Sequence, residues 1–568
     1  MAWSYTPICI RFLPKYNDKL IAVSGIFLVL KDEKDDIIDK AFLSICNLTN
    51  AEMESKYNIF VSAGGLINET ELKWVPVSFD FYSNIFNKNS STSDKLYTSI
   101  KYFTSHGFKL IPFESRGSQD VDFLYGVKIA GFKMNSANFE YFSRSVKNSL
   151  QVISFRGSAI NSNIIIESSP FSFTNPALFI NFVSHGTINL VISQDDENDE
   201  RELGYISDTK YLENMVGGVV KVDEVNSIGL VLGNVRKLNG DGDLTLILSW
   251  NTILRGLKGA RTSGRLEPSP LASEIHFITN NLPENVADSE HRHGTSKGVL
   301  AITVESSSPH RSYWGSGVLF DKETIITNDH VVNVNLKQAK ISIYLSKNTW
   351  IVLDALTLTD KINPESSSDQ IITPFNNLDI SFIKLSKQNQ KVIASMGNLH
   401  PVQKGLPGDY KVGDTVTTVG FGLFLSKAIS QQPLSSQGVI SSIARFPIFE
   451  GTPSSDITPS LIVTSSSCWN GSSGGGLFDI KYNKLLGMIC SNAEVNIPEI
   501  LFDGPRSVLA KTEKVSKFSL CIPIEVINEL SNYIQRCNKY DKINNRISNA
   551  WKLLPTHEEI EIDTSARL

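Results

Sequence analysis

The sequence has no apolar run approaching the ~18 residues a membrane-spanning helix needs. Its opening, Met1 to Lys15, lacks the charged-then-apolar layout of a secretory leader. It has no basic excess either. Its 54 Lys and Arg stand against 59 Asp and Glu, a formal net charge of −5, so no global field draws it to nucleic acid. Cysteine is scarce, six in 568 residues. Cys9, Cys46, Cys468, Cys490, Cys521 and Cys537 show no metal-ligand spacing, and free thiols in a reducing compartment are expected. No metal and no other cofactor is called for. The length exceeds what one hydrophobic core organises and implies two or three domains.

What is present is β-rich. Short β-branched runs bounded by Gly, Asn, Ser or Asp, such as Ile341–Leu345, Thr415–Val419, Leu461–Thr464 and Leu485–Ile489, read as strands of antiparallel barrels. One helix is clear: after Pro523, apolar Val526, Ile527, Leu530, Tyr533 and Ile534 recur at helical spacing. The stretch 255–297, rich in Gly, Pro, Ser, Asn and charge, reads as a linker between domains 1–254 and 298–540, with a tail over 541–568.

The two halves repeat a pattern in order. Val23-Ser24-Gly25-Ile26 echoes Gly315-Ser316-Gly317-Val318, and Ser184-His185-Gly186-Thr187 echoes Ser436-Gln437-Gly438-Val439. Met215-Val216-Gly217-Gly218 echoes Ser473-Gly474-Gly475-Gly476, and Ile228-Gly229-Leu230-Val231 echoes Leu486-Gly487-Met488-Ile489. This reads as a duplication whose first copy is degenerate, with Met215 where Ser473 stands and no histidine before His106.

The chemistry-bearing segments lie in the second half. In Gly471-Ser472-Ser473-Gly474-Gly475 a serine is framed by glycines that permit a tight turn aiming the amides of Gly471 and Ser473 at a developing oxyanion. Thr327-Asn328-Asp329-His330 ends an apolar strand with a candidate base, and Asn376-Asn377-Leu378-Asp379 precedes another with a candidate orienting acid. Asp354, Asp360 and Asp369 are competing acids without such a following strand. The order His, Asp, Ser opposes an α/β-hydrolase, which runs Ser, acid, His and places a helix after the serine; the residues after Ser473 read strand, turn, strand. A glycan on the acceptor Asn470-Gly471-Ser472 would block this loop, which argues against secretion.

These segments resemble the trypsin-fold serine proteases, and more their high-temperature-requirement or Deg branch than the digestive one, because Ser472 rather than an aspartate precedes the nucleophile. The resemblance implies tandem trypsin-like double β-barrels, the first degenerate, and acyl transfer by His330, Asp379 and Ser473 with Gly471 and Ser473 as the oxyanion hole. It places Ser467 at the floor of the primary pocket and Cys490, Ser491 and Asn492 on its wall; without an acid there, a small or weakly polar substrate residue is expected. The branch's usual PDZ module is not expected, because only a short polar stretch follows the last helix. With the terminal Ala566-Arg567-Leu568, similar to a peroxisomal address, the architecture resembles the peroxisomal leader-peptide-processing proteases. That resemblance implies a matrix enzyme trimming presequences of imported proteins and cleaving β-oxidation enzymes. It also implies recognition of the tripeptide by an import receptor, self-cleavage and self-association, with no nucleic-acid or membrane partner. A Deg-like quality-control protease of another compartment, a non-catalytic protease-like scaffold and an esterase on the same triad are the rival readings.

Overall fold

The computed structural model describes residues 2–551 apart from short loop segments and the stretches 65–72, 87–93, 114–120, 172–178, 263–297, 424–431, 451–457, 497–511 and 536–541; residues 552–568 also lie outside the description. The main division between two units falls at Gly294 and Thr295. Most of the expected linker, 263–297, is therefore not described. Its first part is not linker: the helix Trp250–Thr262 runs through it. Gly256 and Gly259 weaken helix propensity, but Ile253, Leu254 and Leu257 bury one face and outweigh them.

The first unit is two closed six-stranded rings. In one, Ala2–Pro14 pairs with both Ile21–Lys31 and Tyr57–Ala63, and Ile37–Cys46, Lys128–Lys133 and Val75–Asn84 complete the circuit. In the other, Asn226–Arg236 and Asn163–Ser168 both pair with Val219–Lys221, and Phe182–Asp196, Asp199–Ser207 and Leu244–Ser249 close it. Closure leaves no unpaired sheet edge. Each ring packs its own apolar interior, around Phe12, Phe27 and Phe42 in one and Tyr205, Val231 and Ile247 in the other.

The second unit repeats the order. Val299–Ser307 pairs with both His310–Leu319 and Ala339–Ser346, and Thr324–Thr327 and Ser381–Lys384 extend the sheet. A closed barrel follows from Thr415–Gly420, Leu434–Phe446, Thr458–Thr464, Ser519–Pro523, Leu485–Ser491 and Gly476–Asp479. Its ring order matches that of the first unit's second ring strand for strand, and in both units a helix comes next, here Ile524–Gln535 with Val526, Ile527 and Leu530 fully buried. The fold is thus two tandem double β-barrels.

The tail read over 541–568 begins too early. Ile543 bridges Phe449, the Asn544 amide donates to the Ile448 carbonyl at 3.0 Å, and Trp551 Nε1 donates to the Ser460 carbonyl at 2.8 Å. Ile543, Ile547 and Trp551 are buried in the same core as the barrel. Their four-residue spacing was the available signal, diluted by the polar residues between them.

Candidate active site

The serine loop is held by carbonyls. Leu423 N–H donates to the Asn470 carbonyl at 2.6 Å, and Gly475 N–H to the Ser472 carbonyl at 2.9 Å. In a planar trans peptide the C=O and the following N–H point in opposite directions. Anchoring these two carbonyls therefore turns the amides of Gly471 and Ser473 the other way, and neither amide donates to another described residue. Gly471 and Gly474 sit at φ +94° and +85°, where a side chain strains the backbone. Space forbids one as well: a β-carbon at Gly471 would lie 2.1 Å from Trp314 Nε1, and one at Gly474 2.0 Å from the Ser316 carbonyl.

Ser316 is the hub of this frame and was not singled out as a site residue from sequence. Its amide donates to the Ser473 carbonyl at 2.8 Å, its hydroxyl donates to the Gly471 carbonyl at 2.7 Å, and it accepts from Phe421 N–H at 2.8 Å. Trp314 Nε1 donates to the Phe421 carbonyl at 2.8 Å and so packs beneath Gly471. Leu423, at φ +61°, is a strained non-glycine residue in the same frame.

His330 lies in a single helical turn, Asp329–Val332, directly after the strand Thr324–Thr327. Asp379 grips it twice: Oδ1 accepts from the His330 backbone N–H at 3.0 Å, and Oδ2 is 2.8 Å from Nδ1. An ionised carboxylate only accepts, so Nδ1 carries its hydrogen and Nε2 is left as a basic nitrogen. Asn328 Nδ2 pins the Asp379 carbonyl at 2.8 Å. Burial pushes the Asp379 carboxyl up, but the hydrogen bond and charge of His330, its backbone N–H and the Cys490 thiol together outweigh this and hold it below the usual carboxylate value. Of the competing acids, Asp369 is engaged elsewhere, accepting from Ser386 N–H and Asn389 Nδ2. Asp354 and Asp360 lie outside the described residues.

The backbone of Ser473 is tied to the strand that leads to His330. Thr327 Oγ1 donates to the Ser316 carbonyl, and Ser316 N–H to the Ser473 carbonyl. Gly474, next to Ser473, abuts Thr327, three residues before His330. No hydrogen bond joins Ser473 Oγ to His330 among the described residues; such bonds commonly tighten only with substrate bound. After the serine comes a strand, Gly476–Asp479, and not the helix of an α/β-hydrolase.

The pocket residues separate. Ser467 is buried, its amide on Ser436 Oγ and its carbonyl accepting from Thr418 Oγ1. Ser491 and Asn492 are partly exposed, and Asn492 Nδ2 donates to the Cys468 carbonyl at 3.2 Å. Cys490, expected on the pocket wall, instead places Sγ 3.4 Å from Asp379 Oδ2. The pairing with Ser519–Pro523 slips here, Ile489 opposing Cys521 and Ser491 opposing Leu520, so Cys490 is the extra residue of a bulge, which re-aims its side chain toward the acid. Ala566, Arg567 and Leu568 lie outside the described residues.

The first unit keeps the frame without the chemistry. Ser24 Oγ donates to the Asn214 carbonyl and accepts from Ser169 N–H, as Ser316 does with Gly471 and Phe421. Phe171, at φ +48°, donates its amide to the Glu213 carbonyl, as Leu423 does to Asn470. Gly217 N–H bonds the Val231 carbonyl as Gly474 N–H bonds that of Ile489. This register places Val216, not Met215, where Ser473 stands; the run of two glycines against three had shifted the sequence match by one. Ser44 Oγ, like Thr327 Oγ1, donates to the hub carbonyl, so Asn47 takes the place of His330. The pairing of Ser44 with Ala130, like that of Thr327 with Ser381, puts Lys128 in the place of Asp379. The strand segment continuing from Leu232, the counterpart of Cys490, pairs with the chain's own Lys109–Ile111.

Residues 315–488 match the family model described as trypsin-like peptidase domain. Residues 315–488 thus carry a trypsin-like peptidase domain. Over 217 residues the chain is 26% identical to the mouse peroxisomal leader peptide-processing protease, which covers 37% of this chain and 31% of that protein. The chain thus spans about a third of that relative's length. Solved structures similar to it include the HtrA-type protease AlgW with a tripeptide, 17% identical over 42% of this chain and 60% of that one, TM-score 0.27. A serine endoprotease from Yersinia pestis is 18% identical over 42% of this chain and 63% of that one, also at TM-score 0.27.

Proposed function

We propose that this chain is a serine endopeptidase of the peroxisomal matrix that removes N-terminal targeting presequences from imported proteins and processes β-oxidation enzymes. The observation that carries the catalytic part is the His330–Asp379 pair, 2.8 Å from Nδ1 to Oδ2, beside a serine turn with two outward-facing amides. The compartment and substrate rest on the mouse relative's name and on the terminal Ala566-Arg567-Leu568.

In this reading His330 Nε2 takes the proton of Ser473 Oγ as the oxygen attacks the substrate carbonyl. The amides of Gly471 and Ser473 hold the oxyanion, Asp379 stabilises the imidazolium, and His330 then protonates the leaving amine. Water repeats the cycle on the acyl-enzyme. The small, uncharged surroundings of Ser467 suit a small or weakly polar residue before the cut. The first unit, with Asn47, Lys128 and Val216 at the three positions, contributes no chemistry. An import receptor for the tripeptide, self-cleavage and self-association belong to the same proposal.

The test is incubation of a presequence-bearing peroxisomal matrix protein with the purified full chain, the cut site being mapped by mass spectrometry. Release of the intact presequence supports the reading. Peptidase activity on other proteins that spares the presequence would discard the substrate, and unchanged localisation after deletion of residues 566–568 would discard the address.

A further inference from the structure

The strand Thr324–Thr327 pairs with Ser381–Lys384 as far as Thr327 opposite Ser381 and no farther. In the first unit the matching ladder runs on. Ser44 opposes Ala130 there, and Ile45 and Cys46 continue opposite Ile129 and Lys128. The catalytic unit breaks off where Asp329–Val332 leaves the sheet as the helical turn that carries His330. Side chains take over from the ladder at this point. Asn328 Nδ2 donates to the Asp379 carbonyl. Asp329 Oδ1 lies 3.0 Å from Ser381 Oγ and 2.9 Å from Thr373 Oγ1. The two hydroxyls are also 2.7 Å apart. Their two protons serve three contacts, so at least one of them reaches the carboxylate. Both hydroxyl residues are buried, Ser381 completely. Asp329 Oδ2 accepts from Asn333 Nδ2 at 2.9 Å, just past the other end of the turn. One carboxylate, next to His330 in the chain, thus ties the turn of His330 to the strand that follows Asp379. In the first unit acid and hydroxyl are missing together. Cys46 and Ala130 stand at the two places, beside Asn47 and Lys128 for His330 and Asp379.

We propose that Asp329 is a positioning residue of the triad, its carboxylate holding the helical turn of His330 against the strand of Asp379 through Ser381 and Thr373. The inference rests on the acyl-transfer reading above. The bonds from Asp379 aim the imidazole only while turn and strand keep their spacing, and the broken ladder no longer sets that spacing. A turn cut loose carries Nε2 away from the serine and slows acylation. Substrate binding is spared, because the partners of Asp329 are Ser381, Thr373 and Asn333, none of them a pocket residue.

The test combines proton NMR of the full chain with peptide-cleavage kinetics. The low-field resonance of the His330 Nδ1 proton, identified by its loss in His330→Ala, reports the bond to Asp379. It should shift or broaden in Asp329→Ala. In the same variant kcat should fall about ten- to a hundredfold with KM unchanged, the upper end being the cost of about an ångström of misplacement. Asp329→Asn keeps an acceptor oxygen for the hydroxyls and should recover most of both. Ser381→Ala/Thr373→Val removes the donors instead. It should reproduce the loss in the wild-type background and lower kcat by no more than about twofold further on top of Asp329→Ala. A folded Asp329→Ala with an unmoved resonance and kcat within about twofold of wild type overturns the proposal, as do losses that multiply in the combined variant. If Asp329→Ala fails to fold, the same two readings on Ser381→Ala/Thr373→Val decide. If wild type itself cleaves nothing, the proposed function has failed, and the resonance alone still decides whether Asp329 holds the turn.

Discussion

Replacing Gly471 with alanine puts a β-carbon 2.1 Å from Trp314 Nε1 and 2.6 Å from the Phe421 carbonyl, on backbone at φ +94°. A non-glycine residue in left-handed backbone costs about 1–2 kcal/mol, and the contacts add to that, because the indole cannot retreat without breaking its bond to Phe421. Turning the peptide between Asn470 and Gly471 relieves both at the loss of one hydrogen bond, Leu423 N–H to the Asn470 carbonyl, about 1 kcal/mol. The turn should therefore rotate rather than unfold the barrel, and rotation removes the Gly471 amide from the oxyanion hole. Loss of one such donor lowers kcat about 10²- to 10³-fold. The first unit shows the steric logic from the other side. Its counterpart, Asn214, bears a side chain at φ +72°, and there the small Ala22 replaces Trp314, its carbonyl accepting from Asn214 Nδ2 at 2.9 Å. Steady-state kinetics on a peptide substrate, with circular dichroism to confirm the fold, tests this. A folded Gly471→Ala with kcat within about threefold of wild type would refute the assignment of that amide.

Trp551→Ala should destabilise the catalytic unit by about 3–5 kcal/mol, as removal of a buried aromatic does, read as a lowered urea midpoint; no change would return residues beyond 541 to a loose tail. Asp379 has its folded-state carboxyl held below its ordinary value. Its contribution to stability is thus present above the unfolded value of about 3.9 and lost as pH falls through the lower folded one. The unfolding difference between Ser473→Ala and Ser473→Ala/Asp379→Asn should be flat from pH 7 to about 5 and shrink below about 4; a difference that grows on acidification contradicts this. Asn47→Ala and Val216→Ala should leave kcat/KM unchanged, and a loss in either would show that the first unit takes part in the chemistry.

The His330–Asp379 pair was legible because each member has a distinctive local sequence, a strand end before His330 and an apolar strand after Asp379, and the glycines around Ser473 marked its tight turn. What escaped depends on contacts that strand patterns do not encode. Strand alternation does not show the register slip at Cys490 that turns its side chain toward Asp379. Ser316 sits in a Gly-Ser-Gly segment that sequence marks as a hairpin strand, while its bonds to Gly471, Ser473 and Phe421 come from loops more than 100 positions away. The duplication was readable from its glycines, yet glycine runs of unequal length misplaced Val216 by one residue, and only the matched hydrogen bonds set the register. The Trp250–Thr262 helix was hidden by its own glycines and the Gly-, Pro- and Ser-rich sequence that follows.

The central claim is that Ser473 is the nucleophile, and the most direct measurement is labelling of the full chain with a fluorophosphonate probe, mapped by mass spectrometry, alongside peptide cleavage by wild type and Ser473→Ala. The account predicts one modified residue, Ser473, and a fall in cleavage of about 10⁵- to 10⁶-fold in the variant, the scale for loss of a triad serine. A label on another residue, or cleavage that survives Ser473→Ala, would contradict it.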